Sequence, residues 1–492
     1  MTPHFTHRSC YVNFAEHLQN RWNVNLLYPG APNQWSAADW RAFLQMLKAF
    51  GFTCFEYWVP PTLFDRPALD ADPLCTQFAA TLRQVTAAAH ELGLQTKALF
   101  AVNTIGPTWF CACPHVAAEK DLILRLWDHW VQALEGTDLF CIFPGDPGGC
   151  NRNGCTHETF VDLALEITCR IKRAAPQSRV EVGTWGTPFT GWGADMRTVP
   201  GWDGSFRMIA DPQYATPEMP CHIWNGRPDR ARAAMEYLLQ RLPAFPDDTL
   251  VALNLGFSPD GDATMGGDAR GWAREVAALR QITTWDYSVS EGELVVYPHW
   301  RLPRMASRRR EERSAAPYIG GMHYTMSPKL NLLTLYAAGR LFVEPDADPD
   351  RVSREFCAAV FGPAQAALGD LWEAFEVVPG WGHYPRRQWS KPALRTAYRE
   401  IVARLAAARN APCTLPLFPD PETYRQDLLW FAQRFLEMAS PAPDRDRIRR
   451  EYWAKSLAIY DSIPMSVDAR AAESARRFSM ILAEQRDRLP AL

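Results

Sequence analysis

Acidic residues follow several short apolar runs of this sequence, where those runs give way to glycine, proline or polar residues. Asp146 follows the run DLFCIF within the stretch PGDPGG, and Asp286 follows the run ITTW. Glu56 stands between aromatic residues in CFEYW. Two carboxyl groups that flank one bond can act as general acid and as base or nucleophile, which is the chemistry of glycosidic bond cleavage. We therefore treat these three as candidate catalytic residues, with Asp146 as the general acid.

Aromatic and basic side chains occur at the same points and would bind a ring-shaped ligand. Tryptophan is abundant, with 19 residues, and there are 15 tyrosines. Aromatic faces stack on ring-shaped ligands, and His and Arg donate hydrogen bonds to hydroxyl groups or to a carboxylate. The candidate substrate-binding residues are Tyr57, Trp58, Trp185, Trp285, Tyr287, His299, Arg301, His323 and Tyr324. Core packing is the alternative for the tryptophans, and a buried structural hydrogen bond is the alternative for His323.

Some acidic residues have a structural explanation that competes with a catalytic one. Asp146 could form an Asx-turn in its tight loop. Glu181 lies inside the run RVEVG, where we favour a pair with a barrel arginine or lysine over a catalytic role.

Four cysteines form a second candidate site. Cys111 and Cys113 lie in TWFCACPH, and Cys150 and Cys155 lie in GGCNRNGC. These segments follow successive predicted strands, so we expect the two loops to contact each other. Four thiolates suit a tetrahedral structural zinc site, which would fix the loop that carries Asp146 and leave no position for a catalytic water. Free thiols, or one disulfide in an exported protein, are the alternatives.

Strand and helix patterns alternate through the first two thirds of the chain and must position these residues. Ser36 and Gly51 mark the start and the end of the first predicted helix. Eight strand–helix units predict an α/β fold, the (β/α)8 TIM barrel, whose active sites lie at the carboxyl ends of the strands. A doubly wound open sheet is the alternative. The predicted strands are 22–30, 52–60, 94–106, 138–146, 179–186, 249–257, 282–289 and 318–326.

Strand patterns stop near residue 328, and amphipathic helices separated by proline-rich links follow. We therefore divide the chain into three parts. These are an N-terminal lead at 1–21, a catalytic barrel at 22–330 and an α-helical C-terminal domain at 331–492.

Composition excludes several other classes. Hydrophobic residues make up 47% and charged residues 22%, with a net charge of −3, so nothing indicates disorder or a nucleic-acid partner. There is no apolar run of transmembrane length and no signal-peptide pattern, so we expect a cytoplasmic protein without a membrane partner. No glycine-rich phosphate loop follows a predicted strand, so we expect no organic cofactor. The oligomeric state stays open, including a homo-oligomer.

Two segments resemble known proteins. FPGDPGGCNRNGC resembles the loop after strand 4 in uncharacterised barrel proteins related to glycoside hydrolase families 20, 67 and 84. The segment from LNLLTLYAAGRLF to FGPAQAAL resembles the helical extension behind such barrels. The resemblance implies a glycoside hydrolase barrel. Hexosaminidases in this superfamily carry adjacent Asp and Glu after strand 4, whereas Pro147 follows Asp146 here, which puts their mechanism in doubt.

The sequence thus predicts a glycoside hydrolase that cleaves a carbohydrate or glycoconjugate by carboxylate acid/base chemistry. One alternative is a metal-dependent hydrolase or lyase that uses the four cysteines, with His115 and His157 as spare candidate ligands. The other is a non-catalytic barrel that binds carbohydrate.

Overall fold

The computed structural model describes the barrel and most of the helical region. The described residues are 4–12, 35–59, 64, 73–105, 110–144, 153–184, 228–254, 269–285, 298, 300–325, 328–375, 392–445, 447–448, 451 and 455.

Eight parallel strands form a closed barrel in which each strand pairs with the next along the chain and β8 pairs with β1. The closed barrel confirms the predicted fold class. The strands are β1 (His7–Val12), β2 (Cys54–Val59), β3 (Gln95–Ala101), β4 (Leu139–Phe143), β5 (Arg179–Gly183), β6 (Leu250–Asn254), β7 (Gln281–Trp285) and β8 (Tyr318–Thr325).

The first strand is the element that the sequence analysis placed wrongly. β1 comprises His7–Val12, inside the expected lead segment, and it pairs with both β2 and β8. The predicted strand 22–30 is not one of the eight barrel strands and lies outside the described residues. The other seven predicted strands each contain or overlap a barrel strand.

A helix follows each strand. In the described residues, these helices are α1 (Ala37–Phe50), α2 (Pro73–Glu91), α3 (Ala117–Ala133), α4 (His157–Ala174), α5 (Pro228–Arg241), α6 (Ala273–Ala277), α7 (Leu302–Ala315) and α8 (Leu332–Val343). A short 3-10 segment at Leu242–Ala244 precedes β6, and another at Ala269–Trp272 precedes α6. A small antiparallel hairpin, Thr104–Ile105 with Phe110–Cys111, lies between β3 and α3.

Local sequence explains the boundaries of α1. Ser36 accepts a hydrogen bond from the Asp39 backbone, and the Asp39 carboxylate accepts one from the Ser36 backbone, which is a capping box. Gly51 ends the helix with φ of 101°, a left-handed conformation that suits glycine. Both ends agree with the sequence prediction.

α8 belongs to the barrel, although the sequence analysis assigned it to the C-terminal domain. Gly339 of α8 approaches the end of α1 so closely that a Cβ would collide with the Phe50 carbonyl oxygen. The Tyr336 and Phe50 rings also pack edge to face, with centroids 5.4 Å apart. The barrel therefore extends beyond the predicted boundary at residue 330.

Helices continue after the barrel, as predicted. Those within the described ranges are α9 (Pro349–Phe361), a 3-10 segment at Pro363–Phe375, α10 (Pro392–Ala407) and α11 (Pro421–Met438). The rings of Phe375 and Tyr398 pack with that of Phe435, at centroid distances of 6.0 and 5.6 Å. Of the helices in the described part of the chain, none has the length and apolar character needed to span a membrane.

Candidate active site

A cluster of charged side chains fills the middle of the barrel. It consists of Glu56, Lys97 and Glu181 together with Ser9 and Thr283, and we call it the buried charge cluster. Lys97 Nζ lies 3.1 Å from Glu56 Oε1, and it also donates to Glu181 Oε1. Ser9 donates to Glu56 and Thr283 donates to Glu181, each at 2.8 Å. Glu181 thus pairs with a barrel lysine, in agreement with the interpretation favoured from the sequence.

The two carboxyl groups of this cluster differ in protonation behaviour. Burial raises the pKa of Glu56, and the charge of Glu181 adds to this rise while Lys97 opposes it. Burial also acts to raise the pKa of Glu181, but the attraction of Lys97, with hydrogen bonds from Lys97 and Thr283, outweighs it and lowers that pKa. Burial disfavours the ammonium of Lys97, yet the two carboxylates outweigh it and raise the lysine pKa. Glu56 is therefore the carboxyl group that retains a proton more readily.

His7 lies beside this cluster at the start of β1. Burial, with the repulsion of Lys97, lowers the pKa of His7 from 6.5 to about 4. The imidazole is therefore neutral at pH 7, and Lys97 is the cation that balances the two carboxylates.

An inner aromatic layer covers the buried charge cluster on the side of the carboxyl ends of the strands. Its rings belong to Tyr11, Trp58, Phe143, Trp285 and Tyr324. Trp285 lies 4.8 Å from Phe143 and 5.5 Å from Tyr11, and Tyr11 lies 5.1 Å from Tyr324, between ring centroids. Each of these side chains is at most 5% exposed, so they pack as a continuous apolar layer.

Strand alternation explains this layering. Tyr11, Trp58 and Trp285 each lie two residues beyond Ser9, Glu56 and Thr283 on the same strands. Residues two apart on a strand point to the same face, so each aromatic ring stands next to a polar group, nearer the carboxyl end.

The same alternation divides the predicted substrate-binding residues into those that face the barrel interior and those that face the helices. Trp58, Trp285 and Tyr324 belong to the inner aromatic layer. Tyr57 lies between two inward-facing residues and therefore faces the helices, where its hydroxyl is 3.4 Å from Thr137 Oγ1. His323 precedes Tyr324, pairs in register with Cys10 and is buried on the outer face of β8. Tyr57 and His323 thus do not join the inner layer, in contrast to the position expected from the sequence.

Glu56 lies deeper than the sequence analysis expected. It is the third of the six residues of β2, fully buried, and Trp58 separates it from the carboxyl end of the barrel. A strand end is therefore not its position.

Arg301 is placed on the side of the barrel where the candidate site was expected. It is the residue before α7, and the loops that lead from strands into helices lie at the carboxyl end of the barrel. Its side chain is 8% exposed. The remaining candidates lie outside the described residues: Asp146, Trp185, Asp286, Tyr287 and His299.

The two cysteine-bearing segments do contact each other, as the order of the strands predicted. Cys113 Sγ lies 3.6 Å from Cys155 Sγ, and both side chains are buried. Cys111 lies on the small hairpin, with its sulfur 3.6 Å from Thr104 Oγ1. Cys150 lies outside the described residues.

Within the described segments, no three His, Cys, Asp or Glu side chains are arranged to hold a metal ion. The described cysteines therefore give the zinc prediction no support beyond the contact of two sulfurs, and it stays a prediction.

Sequence reasoning missed several residues that organise the barrel interior. Lys97, Ser9 and Tyr11 were not candidates. A lysine inside QTKALFA would have been informative beside Glu181, because a buried carboxylate needs a cationic partner. Ser9 and Tyr11 were not considered because the first strand was predicted at 22–30 instead of His7–Val12.

No protein-family model and no curated protein matches this sequence. Among solved structures, the chain is similar to a GH138 enzyme described as targeting pectin rhamnogalacturonan II. The TM-score is 0.55 at 10% sequence identity, over 93% of this chain and 72% of that chain. The structure of CpGH84B aligns with a TM-score of 0.46 at 9% identity, over 97% of this chain and 74% of that one.

The similarity to the GH138 enzyme concerns the fold. This chain is a closed (β/α)8 barrel followed by further helices.

Proposed function

We propose that this protein is a glycoside hydrolase whose site lies at the carboxyl end of the barrel, above the inner aromatic layer. The observation that carries this proposal is the closed barrel shared with the GH138 enzyme that targets pectin rhamnogalacturonan II. The inner aromatic layer, on the side of the carboxyl ends, is consistent with a ring-shaped ligand such as a sugar above it. Carbohydrate is the proposed substrate class.

The contact between Phe143 and Trp285 supports the choice of the two catalytic carboxyl groups. These are the last residues of β4 and β7, and their rings are 4.8 Å apart. Asp286 follows Trp285 directly, and Asp146 is the third residue after Phe143. Two strand ends that meet through their final side chains favour a pair of carboxyl groups that flank one bond. We assign Asp146 as general acid and Asp286 as base or nucleophile.

The buried position of Glu56 argues against the alternative assignment. A base or nucleophile must reach a water molecule or the anomeric carbon of the substrate. Glu56 is fully buried, paired with Lys97 and covered by Trp58. We therefore assign Glu56 to the support of the barrel interior.

Substrate contacts are proposed for side chains near the carboxyl end. Trp58, Trp285 and Tyr324 are almost fully buried, so they would form the apolar floor of the site beneath the sugar. Arg301 and His299 would bind its hydroxyl groups, or a carboxylate if the sugar is a uronic acid. This assignment follows from the position of Arg301 before α7.

The proposal is tested with a panel of aryl glycosides, including uronides, assayed between about pH 4 and pH 8. We expect turnover of at least one member and a loss of about 10²-fold or more in kcat for Asp286→Asn. Asp121→Asn is the matched control, because Asp121 pairs with Arg125 on the exposed surface of α3. The control should keep full activity.

The same assays distinguish a glycoside hydrolase from the main alternative, a barrel that binds carbohydrate without cleaving it. Binding of a sugar without turnover, at every pH and for every aglycone, would favour a non-catalytic carbohydrate-binding barrel. Turnover that Asp286→Asn and Asp146→Asn leave intact would refute the carboxylate assignment while leaving the hydrolase class standing.

A further inference from the structure

Two buried thiols lie in contact between neighbouring barrel units. Cys113 precedes α3, Cys155 precedes α4, and their sulfurs are 3.6 Å apart with exposed fractions of 0% and 2%. A disulfide bond is about 2.05 Å long. Each sulfur would have to move by about 0.8 Å, half of the difference between these two lengths.

A tight turn presents Cys155 to Cys113. Asn153 and Gly154 both have positive φ, 52° and 73°, in the left-handed region. Two successive residues of this kind, with the sequence Asn-Gly, are typical of a sharp reversal of the chain. Cys155 follows this turn directly, so its position is fixed by local backbone geometry.

Hydrogen bonds hold both sides of the pair. The Asn153 carbonyl oxygen accepts from His115 Nδ1 at 2.8 Å, which ties the turn to the segment before α3. The Asn153 amide donates to Cys113 Sγ at 3.4 Å. The Cys113 backbone N–H donates to Glu119 Oε2 at 2.5 Å. The two sulfurs are thus kept together by contacts that do not depend on a bond between them.

Among the described residues, Cys113 and Cys155 are sulfur partners of each other. In the ranges that the structure describes, no third potential ligand joins this pair in an arrangement that could hold a metal ion. Of the other cysteines in these two segments, Cys111 has its sulfur beside Thr104 on the small hairpin, and Cys150 lies outside the described residues.

We propose that Cys113 and Cys155 form an intramolecular disulfide when the protein meets hydrogen peroxide. In the first step one thiol sulfur attacks a peroxide oxygen, the O–O bond breaks, and a sulfenic acid and one water form. In the second step the other sulfur attacks the sulfenic sulfur, the S–O bond breaks, and a second water leaves. Two thiols are oxidised, one peroxide is reduced, and the two thiol protons end in water. Peroxide is small enough to reach buried sulfurs through local opening.

The cross-link would join the segment before α3 to the segment before α4. The chain between β4 and Cys155 includes Asp146, so the bond would tether the end of that connection to the segment before α3. A covalent tie of this kind reduces the freedom of the unfolded chain, and the oxidised protein should melt roughly 3–5 °C higher.

The test is peptide mapping of the native full-length protein after mild peroxide treatment. Remaining thiols are alkylated in denaturant, the protein is digested without reductant, and zinc is measured on the same sample. We expect a peptide pair that links Cys113 to Cys155, a protein mass about 2 Da lower before alkylation, and reversal by dithiothreitol. Cys155→Ser should abolish this pair, and the matched control Cys169→Ser on α4 should retain it.

Several results would overturn the proposal. Alkylation of both Cys113 and Cys155 after treatment would show that they do not pair. A disulfide from either one to a different cysteine would show that the proposed pairing is wrong. Bound zinc that protects both sulfurs, with no change in protein mass, would establish a metal site instead. The wild-type map decides each of these outcomes even if a variant fails to fold.

Discussion

Lys97 stands beside Glu56 in the register of β2 and β3, and its ammonium lies 3.1 Å from that carboxyl group inside the barrel. The same ammonium donates to Glu181, so one cation serves two buried acids. Such charges are costly to bury, and their mutual attraction offsets the cost only while all partners are present. Lys97 is therefore the cation that both buried carboxyl groups share.

Lys97→Met should lower the free energy of unfolding by about 3–5 kcal/mol, because it leaves two buried carboxyl groups without their cation. Urea denaturation measures this loss. Lys120→Met is the control, since Lys120 pairs with Glu166 at the surface, and it should cost less than about 1 kcal/mol. Adding Glu56→Gln and Glu181→Gln should recover part of the loss. Equal effects of the two lysine changes would contradict the role of the cluster.

His7 should make stability depend on pH between about 4 and 6.5. Its pKa in the folded protein is about 4, below the ordinary 6.5, because it is buried near Lys97. Between these values the unfolded chain binds more protons, so stability is complete above pH 6.5 and is lost as pH falls toward 4. Burial of His7 should therefore lower the free energy of unfolding by about 3 kcal/mol once the pH is below both pKa values.

The measurement is the free energy of unfolding at pH 7 and pH 4.5 for the wild type and His7→Gln. The variant should show a smaller difference between the two pH values. His4→Gln, at an exposed histidine, should keep the wild-type difference. An unchanged pH difference in His7→Gln would show that His7 is not the responsible group.

Gly339→Ala should destabilise the protein although alanine favours helices by about 1 kcal/mol. The added Cβ would collide with the Phe50 carbonyl oxygen, so α8 and α1 would have to separate. We expect a net loss of about 1–3 kcal/mol, measured by chemical denaturation. Gly271→Ala, where an added Cβ would meet no atom within 4 Å apart from its chain neighbours, should change stability by less than about 0.5 kcal/mol.

Trp285→Ala should cost about 3–5 kcal/mol of stability because the ring is buried against Phe143 and Tyr11. Trp430→Ala, at a partly exposed ring on α11, should cost less than half of this. Thermal melting of both variants checks the prediction. Similar losses would mean that Trp285 does not pack in a continuous layer.

Asp146→Asn should reduce kcat by about 10²–10⁴-fold on a glycoside with a poor leaving group. On an activated aryl glycoside the loss should be much smaller, because a good leaving group needs little protonation. Steady-state kinetics on the two substrates provides the test. Equal losses would reassign Asp146 to base, nucleophile or substrate-binding residue.

The barrel was predictable because seven strands are apolar runs separated by helical patterns. β1 was missed because HRSCYV begins with His, Arg and Ser, which resemble loop residues in the sequence. His7 and Ser9 are polar because they contribute to the buried interior around Lys97, and their partners lie far along the chain. A sequence does not reveal such distant partners.

For the site, the types of residue were easier to predict than their depth and direction. Trp58 and Tyr57 are adjacent in the sequence, yet one faces the barrel interior and the other faces the helices. The alternation of side chains along a strand could have separated them, given one inward-facing residue such as Glu56. The depth of Glu56 depended on where β2 ends, which single sequences define poorly.

The pairing of β1 with β8 has a consequence for synthesis on the ribosome. His7 of β1 stands in register with Gly320 of β8. One edge of β1 therefore stays unpaired until β8, the last barrel strand, has been synthesised. Roughly 300 residues separate the two strands, which at about 5–20 residues per second corresponds to about 15–60 s of translation. During that interval β1 exposes an unpaired edge and the polar residues His7 and Ser9, so the nascent chain would benefit from a chaperone until β8 emerges.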